Sequence, residues 1–350
     1  MNRRVLLGMS GGVDSSVSAI LLKEKGYDVI GMTLELYGGT CCNTDAVIGA
    51  KAICNSIGIP HFTYNLKEEF KCNVINNFIE EYSNQRTPNP CIECNRHMKF
   101  GAMYEKAQEM GCDYIATGHY AKMEYSDNYE QFVLKKAKNL QKDQSYVLYS
   151  IPRNLLGKVL FPLGDFNSKE DVRNIAKQHS LEVASKPDSE DICFIPDGNY
   201  KKFLEDNSYI KPMIGNIVNR RGEILGKHNG LYNYTIGQRK GLGISYKAPL
   251  FVLGFNKAKN ELIVGEEQEL YRKEMKVDDV NLLLMDSIDK PIDVTVKIRY
   301  SSKPAEAIIN QTEEENIQVI FKDPQRGITP GQSAVFYTDD VVIGGGKILQ

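Results

Sequence analysis

The first part of the chain alternates short apolar runs with segments of helical apolar spacing. The apolar runs predict buried strands over residues 5–7, 27–34, 61–66 and 113–117, and the helical spacing predicts helices near 17–23, 45–57, 68–82 and 99–110. This βαβα order predicts a parallel sheet with helices on both faces. Ligands bind beyond the carboxyl ends of the strands in such sheets. Gly8, Leu34 and Gly118 lie at three of these ends, so we expect them to converge.

The second half of the chain has a different texture. Short strands with glycine turns are predicted at 215–218, 221–226 and 241–244, and alternating strands at 293–300, 305–309, 317–321 and 334–337. Short strands at even spacing are typical of a small antiparallel β-barrel. We therefore predict an α/β protein of three domains, with a catalytic domain over 1–205, a small central domain over 206–273 and a C-terminal β-barrel over 274–350.

The composition narrows the class of protein. Apolar residues make up 42% and charged residues 25% of the 350 positions, which is ordinary for a globular chain. No apolar run is long enough for a membrane span, so we expect a cytoplasmic protein with no membrane partner. The net charge of −2 gives no general attraction to nucleic acid, although a local basic face would still bind it.

A glycine- and serine-rich stretch joins the first strand to the first helix. It contains Gly8, Met9, Ser10, Gly11, Gly12, Val13, Asp14 and Ser15. Glycines allow a close backbone approach, and the start of a helix favours an anion. Asp14 could hold Mg²⁺ beside phosphates. The stretch lacks the features of a Walker A loop and of the dinucleotide fingerprint. It resembles the loop of the ATP pyrophosphatase superfamily, whose members adenylate a substrate and release pyrophosphate.

The eight cysteines all lie in the first 193 residues, which is not the distribution of a disulfide-stapled secreted protein. Cys54, Cys72 and Cys112 are predicted to be core residues on helical faces. Cys91 and Cys94 follow two prolines, so we predict a loop that presents two thiols beside the positive residues Arg96, His97 and Lys99. Half of a zinc site, completed by Cys41 and Cys42, is the alternative.

Three further stretches have chemistry of their own. Cys193 follows an acidic run and is by itself typical of a buried cysteine. His119 ends a predicted strand, and Lys142-Asp143-Gln144 begins a predicted helix. The segment 232–243 mixes aromatic residues, Arg239 and Lys240 with glycines, a composition that suits RNA contacts or a plain glycine-rich turn.

Taken in order along the whole chain, these stretches closely resemble the tRNA-specific 2-thiouridylase family. The resemblance implies that Gly8 to Ser15, Leu34 and Gly118 bind ATP, that Cys94 is the nucleophile, and that Cys193 carries a persulfide. It further implies that Asn89, Pro90 and Cys91 lie against the target base. The tRNA contacts that it implies are His119, Lys142, Asp143, Gln144, Arg299, Tyr300 and Gln332.

The same resemblance implies a reaction and its partners. ATP would adenylate C2 of the wobble uridine (position 34) in the anticodon loop of tRNAs, those for Lys, Glu and Gln, and sulfur would then replace AMP. A cysteine desulfurase or a sulfur-relay protein would load Cys193. Many family members have Asp where this chain has Cys91, which leaves open a [4Fe–4S] cluster on Cys91, Cys94 and Cys193 in place of persulfide chemistry. A different ATP pyrophosphatase, such as an amidating synthetase, and a silent RNA-binding protein are the other readings.

Overall fold

The structure is a computed structural model that describes residues 3–37, 44–185, 192–207, 209–312 and 315–349. The strands are β1 (Arg4–Gly8), β2 (Asp28–Glu35), β3 (His61–Asn65), β4 (Tyr114–Ala116), β5 (Ala121–Ser126), β6 (Gln131–Lys136), β7 (Val159–Leu160), β8 (Gly215–Asn219), β9 (Ile224–His228), β10 (Phe251–Asn256), β11 (Glu261–Gly265), β12 (Tyr271–Leu282), β13 (Ile292–Lys297), β14 (Ala305–Gln311), β15 (Ile317–Arg326), β16 (Ser333–Thr338) and β17 (Val341–Ile348). The α-helices are α1 (Val13–Glu24), α2 (Thr44–Ile57), α3 (Lys67–Phe70), α4 (Asn76–Ser83), α5 (Pro90–Glu93), α6 (Met103–Glu109), α7 (Lys169–Gln178) and α8 (Tyr200–Asp206). Short 3₁₀ turns lie at Ser145–Val147, Arg153–Lys158, Glu182–Ser185, Leu231–Asn233 and Glu267–Leu270.

The N-terminal sheet is the parallel sheet that the sequence predicts. Its five strands lie in the order β3-β2-β1-β4-β7, and every neighbouring pair is parallel. The middle of β1 is fully buried, as expected for a strand covered on both faces. Gly8, Leu34 and the segment after β4 therefore lie at the same edge of the sheet.

Two long helices of this domain contain π-helical turns. A π segment (Lys71–Ile75) joins α3 to α4, and a second one (Cys94–Ala102) joins α5 to α6. The second continuous helix, over 90–109, is called the cysteine helix below. Both Cys91 and Cys94 lie in it, so the prediction of a thiol-bearing loop was wrong. Pro90 stands at the first helical position, where its fixed φ fits and its missing N–H is not needed, and Asn89 caps the helix by accepting from the Cys91 N–H at 3.2 Å.

The C-terminal strands form a closed antiparallel barrel, as predicted. The order β12-β15-β14-β13-β16-β17 closes through a pairing of β12 with β17. The first of these strands begins at Tyr271, slightly before the predicted boundary, and β17 was not predicted. A β5–β6 hairpin, also missed, extends this sheet from the N-terminal domain through the pairing of Val341 with Lys135.

The central segment forms a smaller sheet in the order β10-β11-β8-β9. The predicted strands near 215 and 224 are present, whereas residues 241–244 form no strand. Leu204, on α8, packs in the same core cluster as Phe78 of the N-terminal domain. The same cluster also contains Tyr232 of the central segment, so the division of the chain after residue 205 stays a prediction.

The remaining cysteine predictions have mixed outcomes. Cys54 is fully buried, as predicted. Cys72 is exposed, because the helix over 67–83 turns that position towards solvent, and Cys112 is half-buried just after α6 ends. Every helix within the described ranges is too short or too polar to cross a bilayer.

Ion pairs, one of them around a buried carboxylate, dock the barrel on the cysteine helix and on the end of α4. The Glu81 carboxylate, 3% exposed, accepts two hydrogen bonds from Arg86 at 2.6 and 2.7 Å and lies 3.6 Å from Lys347 of β17. Arg96 of the cysteine helix pairs with Asp279 of β12 at 2.6 Å. Thr87, just before this helix, donates its N–H to the Pro330 carbonyl at 2.9 Å. The barrel therefore holds both the segment that leads into the cysteine helix and the helix itself.

Gly118 brings the end of β4 directly against the start of α1. A Cβ added at this position would lie 2.9 Å from the carbonyl carbon of Asp14 and 2.9 Å from the Ser15 nitrogen. These are backbone atoms, which cannot move aside as the end of a flexible side chain can. Only glycine allows the two segments to approach this closely.

We expect Gly118→Ala to destabilise the fold, because the added methyl group overlaps the backbone of α1. The expected loss in free energy of unfolding is about 1–3 kcal/mol, as for overpacked core positions, and urea denaturation measures it. Gly49→Ala is the matched control, since a Cβ there meets nothing within 4 Å. That helical substitution should be neutral or stabilising by up to about 1 kcal/mol. Equal stability of the two variants would show that the close approach is absent.

We expect Arg86→Ala to weaken the docking of the barrel, because it leaves the buried Glu81 carboxylate with Lys347 as its remaining ion-pair partner. Removing one member of a buried pair reduces stability by about 3–5 kcal/mol, and Lys347 should keep the loss near the lower value. Lys322→Ala removes the exposed pair with Glu306 and should leave stability nearly unchanged, because solvent screens such a pair. Chemical denaturation of the full chain measures both variants. A loss for Arg86→Ala no larger than that control would contradict the role given to Glu81.

Candidate active site

The glycine- and serine-rich loop after β1 is stabilised by hydrogen bonds between its serine hydroxyl groups and its own backbone. Ser15 Oγ donates to the Gly12 carbonyl at 3.1 Å and accepts from the Ser10 N–H at 3.3 Å. Ser16 Oγ donates to the Gly12 carbonyl at 2.8 Å. Gly12 is the N-cap of α1 and offers no side chain to its first N–H groups. The loop is thus preorganised, with donors at a helix start, which is the arrangement that suits phosphate.

The side chains of the loop have different roles. Met9 and Val13 are buried in two core clusters, so these two residues offer a ligand their backbone rather than their side chains. Gly11 has φ +70°, and a Cβ there would lie 3.0 Å from the Ala46 carbonyl oxygen of α2. The loop is also tied to the neighbouring strand, since the Met9 N–H donates to the Met32 carbonyl at 2.8 Å. A rigid backbone cradle results.

Asp14 is engaged by a lysine that the sequence analysis did not select. Lys169 Nζ donates to both Asp14 carboxylate oxygens at 2.6 Å, and the Tyr120 hydroxyl donates to Oδ1 at 2.8 Å. Two features of the sequence could have pointed to these residues, although both are weak. Tyr120 lies two positions after Gly118, and Lys169 follows Ser168, which forms a capping box with Asp171.

The contacts of Asp14 bear on whether this site could hold a metal ion. Among the described side chains, no three His, Cys, Asp or Glu residues group in a way that could hold a metal ion. Asp14, the predicted magnesium ligand, has its carboxylate paired with an ammonium group instead. Cys91, Cys94 and Cys193 are all described and are not grouped in this way, so the arrangement does not support the [4Fe–4S] site considered above. Cys41 and Cys42, the alternative zinc ligands, lie outside the described residues, as does most of the acidic run before Cys193.

Cys94 and Cys193 belong to one hydrophobic cluster. Cys94 is a buried member of a cluster that includes Phe194, and the half-buried Cys193 packs against it. Neither of these two cysteines is part of a disulfide bond in this structure. Leu34, at the end of β2, contacts this cluster and also the core beneath the sheet. Met9 of the glycine- and serine-rich loop bonds to Met32 of the same strand, so β2 connects this loop with the two cysteines.

Lys99 and His119 form a polar contact on the other side of the cysteine helix. Lys99 Nζ lies 3.3 Å from His119 Nε2, and an ammonium group can only donate, so Nε2 accepts. The proton is then on Nδ1, 2.7 Å from Thr117 Oγ1. Burial, with a smaller contribution from Lys99, holds the pKa of His119 well below its usual range. His119, which directly follows Gly118 in the chain, is therefore a neutral, buried side chain. Its hydrogen bond positions the Lys99 ammonium.

Several predicted tRNA contacts have structural partners. Asp143 is buried and accepts from the Ala137 N–H at 2.9 Å and the Ser145 hydroxyl at 2.8 Å. The Gln144 side chain accepts from the Tyr120 N–H at 2.9 Å. Gln332 donates to the Thr87 carbonyl at 2.8 Å. The hydrogen bonds of these side chains hold neighbouring segments of the chain in place. Their contact with RNA stays a prediction.

Tyr300 and Arg299 lie where the barrel faces the cysteine helix. The Tyr300 ring is 44% exposed, and burial of its hydroxyl, together with the nearby charges of Asp143 and Cys91, raises its pKa. Lys297 Nζ lies 5.6 Å from the centroid of the same ring. Arg299 donates to the Thr329 hydroxyl at 2.7 Å and to the Gly327 carbonyl. The barrel thus presents an aromatic face beside Cys91.

Models of known domains match almost the whole chain. The model described as "tRNA methyl transferase HUP domain" matches residues 3–197, "tRNA methyl transferase PRC-barrel domain" residues 201–266, and "Aminomethyltransferase beta-barrel domain" residues 272–348.

Full-length relatives agree with one another in name. The tRNA-specific 2-thiouridylase MnmA of Clostridioides difficile is 46% identical over 99% of this chain and 98% of its own. The proteins of the same name from Acetivibrio thermocellus and Clostridium beijerinckii are 48% and 46% identical, each over 99% of both chains. The chain belongs to the tRNA-specific 2-thiouridylase family of sulfur-transferring enzymes.

Proposed function

We propose that this enzyme uses ATP to adenylate C2 of uridine 34 in tRNA and then transfers sulfur from a cysteine persulfide. The products are 2-thiouridine, AMP and pyrophosphate. Two of the domain descriptions mention methyl transfer, but the full-length relatives are named thiouridylases. The two cysteines in one core favour sulfur chemistry.

The observation that carries the proposal is the route along β2 from the nucleotide loop to the cysteines. The loop is bonded to Met32, and Leu34 two residues later contacts the cluster that holds Cys94 and Cys193. A substrate atom beyond the end of β2 would therefore have a phosphate site on one side and two thiols on the other. An amidating synthetase would need the loop but not the paired cysteines, and a silent RNA-binding protein would need neither.

Adenylation makes a poor leaving group into a good one. The C2 carbonyl oxygen of uridine attacks the α-phosphorus of ATP, the bond from this phosphorus to the β-phosphate oxygen breaks, and pyrophosphate leaves with the electron pair. Backbone N–H groups at the start of α1 would hold the phosphates. Gly11 and Gly118 support this role, because they allow other backbone segments to pack closely around the loop.

Sulfur transfer then uses both thiols. A cysteine desulfurase or a relay protein would place a sulfur atom on Cys193. Attack of the Cys94 thiolate on Cys193 Sγ forms a Cys94–Cys193 disulfide and releases hydrosulfide, which attacks C2 and displaces AMP. A thiol reductant must then restore both cysteines. Transfer of the terminal sulfur directly to C2, with the disulfide formed afterwards, gives the same balance.

The tRNA would lie across the barrel and the central domain. Tyr300 offers an exposed ring beside Cys91, where a base could stack. Arg239 and Lys240 are exposed on a central-domain loop, and a Cβ added to Gly237 of that loop would lie 3.9 Å from Arg299 Nη2. Positive groups from two domains therefore meet at one junction. This local basic region supports RNA binding in a chain whose net charge is −2.

We expect Cys94→Ser and Cys193→Ser to abolish 2-thiouridine formation, because each step requires a thiolate. Mass spectrometry of nucleosides measures the product after incubation of tRNA with ATP, a desulfurase and cysteine. Cys193→Ser alone should fail to accept labelled sulfur from the desulfurase. Cys72→Ser, at an exposed position, is the matched control and should keep activity. Cys91→Ser should also keep substantial activity. Wild-type levels of 2-thiouridine with Cys94→Ser would refute the proposal.

We expect the affinity for tRNA to fall with salt, because binding releases counterions from phosphates. Lys142→Ala should reduce the slope of log Kd against log salt by about 1 if its exposed ammonium contacts a phosphate. Filter binding over a salt series measures this slope. Lys322→Ala, which removes an exposed barrel lysine, is the control and should leave it unchanged. An unaltered slope for Lys142→Ala would remove that residue from the interface. Arg299 is less suitable for this test because it also bonds to Gly327 and Thr329.

A further inference from the structure

Lys169 reaches the nucleotide loop from a distant part of the chain. It is the first residue of α7, which packs on α1 through Val172 and Val17. Its side chain is only 14% exposed, and Nζ lies 5.6 Å from the centre of the Tyr120 ring. The ammonium is therefore held at the first turn of α1, where the proposed function places the phosphates of ATP.

The Asp14 carboxylate pairs with the Lys169 ammonium in the way that a phosphate group would. Both carboxylate oxygens lie 2.6 Å from Lys169 Nζ, a bidentate contact between an oxyanion and a cation. Tyr120 donates a further hydrogen bond to the same oxyanion at 2.8 Å. Gly118 keeps the Asp14 backbone packed against the end of β4.

We propose that Lys169 is a catalytic residue that binds the β- and γ-phosphates of ATP, and that its pairing with Asp14 is the nucleotide-free resting state. The proposal rests on the proposed function for the presence of ATP in this loop. Triphosphate carries more negative charge than a single carboxylate, so its entry draws the ammonium from Asp14 to the phosphate oxygens. Lys169 would supply this positive charge from the chain itself.

This contact acts on the leaving group. When the uridine oxygen attacks the α-phosphorus, the electron pair of the broken bond remains on pyrophosphate. Negative charge thus increases next to Lys169 as the reaction proceeds, and a fixed ammonium stabilises that charge. AMP retains only the α-phosphate, so Lys169 should distinguish nucleotides by the number of their phosphates.

Isothermal titration calorimetry of the full chain with ATP and with AMP tests the proposal. EDTA is present, and tRNA is absent. Lys169→Met should weaken ATP binding about tenfold or more, as expected for loss of a charged hydrogen bond. AMP binding should change less than twofold. Lys177→Met is the matched control on the same helix, where that lysine pairs with Glu170 at the surface, and it should bind both nucleotides as the wild type does. Equal losses for ATP and AMP, or unchanged ATP affinity, would overturn the proposal.

A double variant separates phosphate binding from neutralisation of Asp14. If Lys169 only cancelled the charge of Asp14, Asp14→Asn in the Lys169→Met background would restore ATP binding, and that result would also overturn the proposal. We expect the double variant to stay weak. Asp14→Asn alone should bind ATP more tightly, because Lys169 is released.

The assay also distinguishes this proposal from the proposed function. A wild type that thiolates tRNA, with an ATP affinity indifferent to Lys169→Met, refutes the role of Lys169 alone. If Lys169→Met loses ATP binding but the wild-type protein makes no 2-thiouridine, the role of Lys169 is supported and the proposed function is refuted.

Discussion

The buried carboxylate of Glu81 is the constraint on which the arrangement of the two larger domains depends. A carboxylate at 3% exposure needs compensating charge, and here Arg86 from the following turn and Lys347 from the last barrel strand provide it. The same lysine lies 4.0 Å from Glu93 in the cysteine helix. One barrel strand therefore fixes the helix that carries Cys91 and Cys94. The thiols are set in place by residues of the last barrel strand, so the barrel is part of the framework of the candidate site.

Local patterns predicted much of this fold. Alternating apolar runs and helical spacing identified the parallel sheet, because its central strands β1 and β2 are largely buried on both faces and helices pack against them. Even strand spacing identified the barrel for a similar reason. The patterns failed where one cue had two meanings. Two prolines before Cys91 indicated a loop, but Pro90 follows Asn89 and together they begin a helix. The β5–β6 hairpin was missed although its two strands pair locally; its addition to the barrel sheet depends on β17, far along the chain.

The candidate site shows the same division. Gly8, Leu34 and Gly118 could be placed together from strand topology alone, since parallel strands end at one edge. Lys169 could not, because the contact with Asp14 joins residues 155 positions apart and depends on the packing of α7 against α1. Residue type also proved ambiguous. His119 and Asp143 have the chemistry of ligand contacts, yet burial and hydrogen bonds give both a structural role in this state.

The π-helical segment Cys94–Ala102 makes the length of the cysteine helix as important as its composition. Such a segment has more residues per turn than an α-helix. An ordinary α-helix of the same nine residues would be wound more tightly and would therefore rotate one end of the cysteine helix against the other. Met98 and Phe100 would then remain in the core only if Cys91 and Cys94 turned away from it, or the reverse. Spacing along this helix, more than the identity of any exposed side chain on it, sets the relative orientation of its two ends.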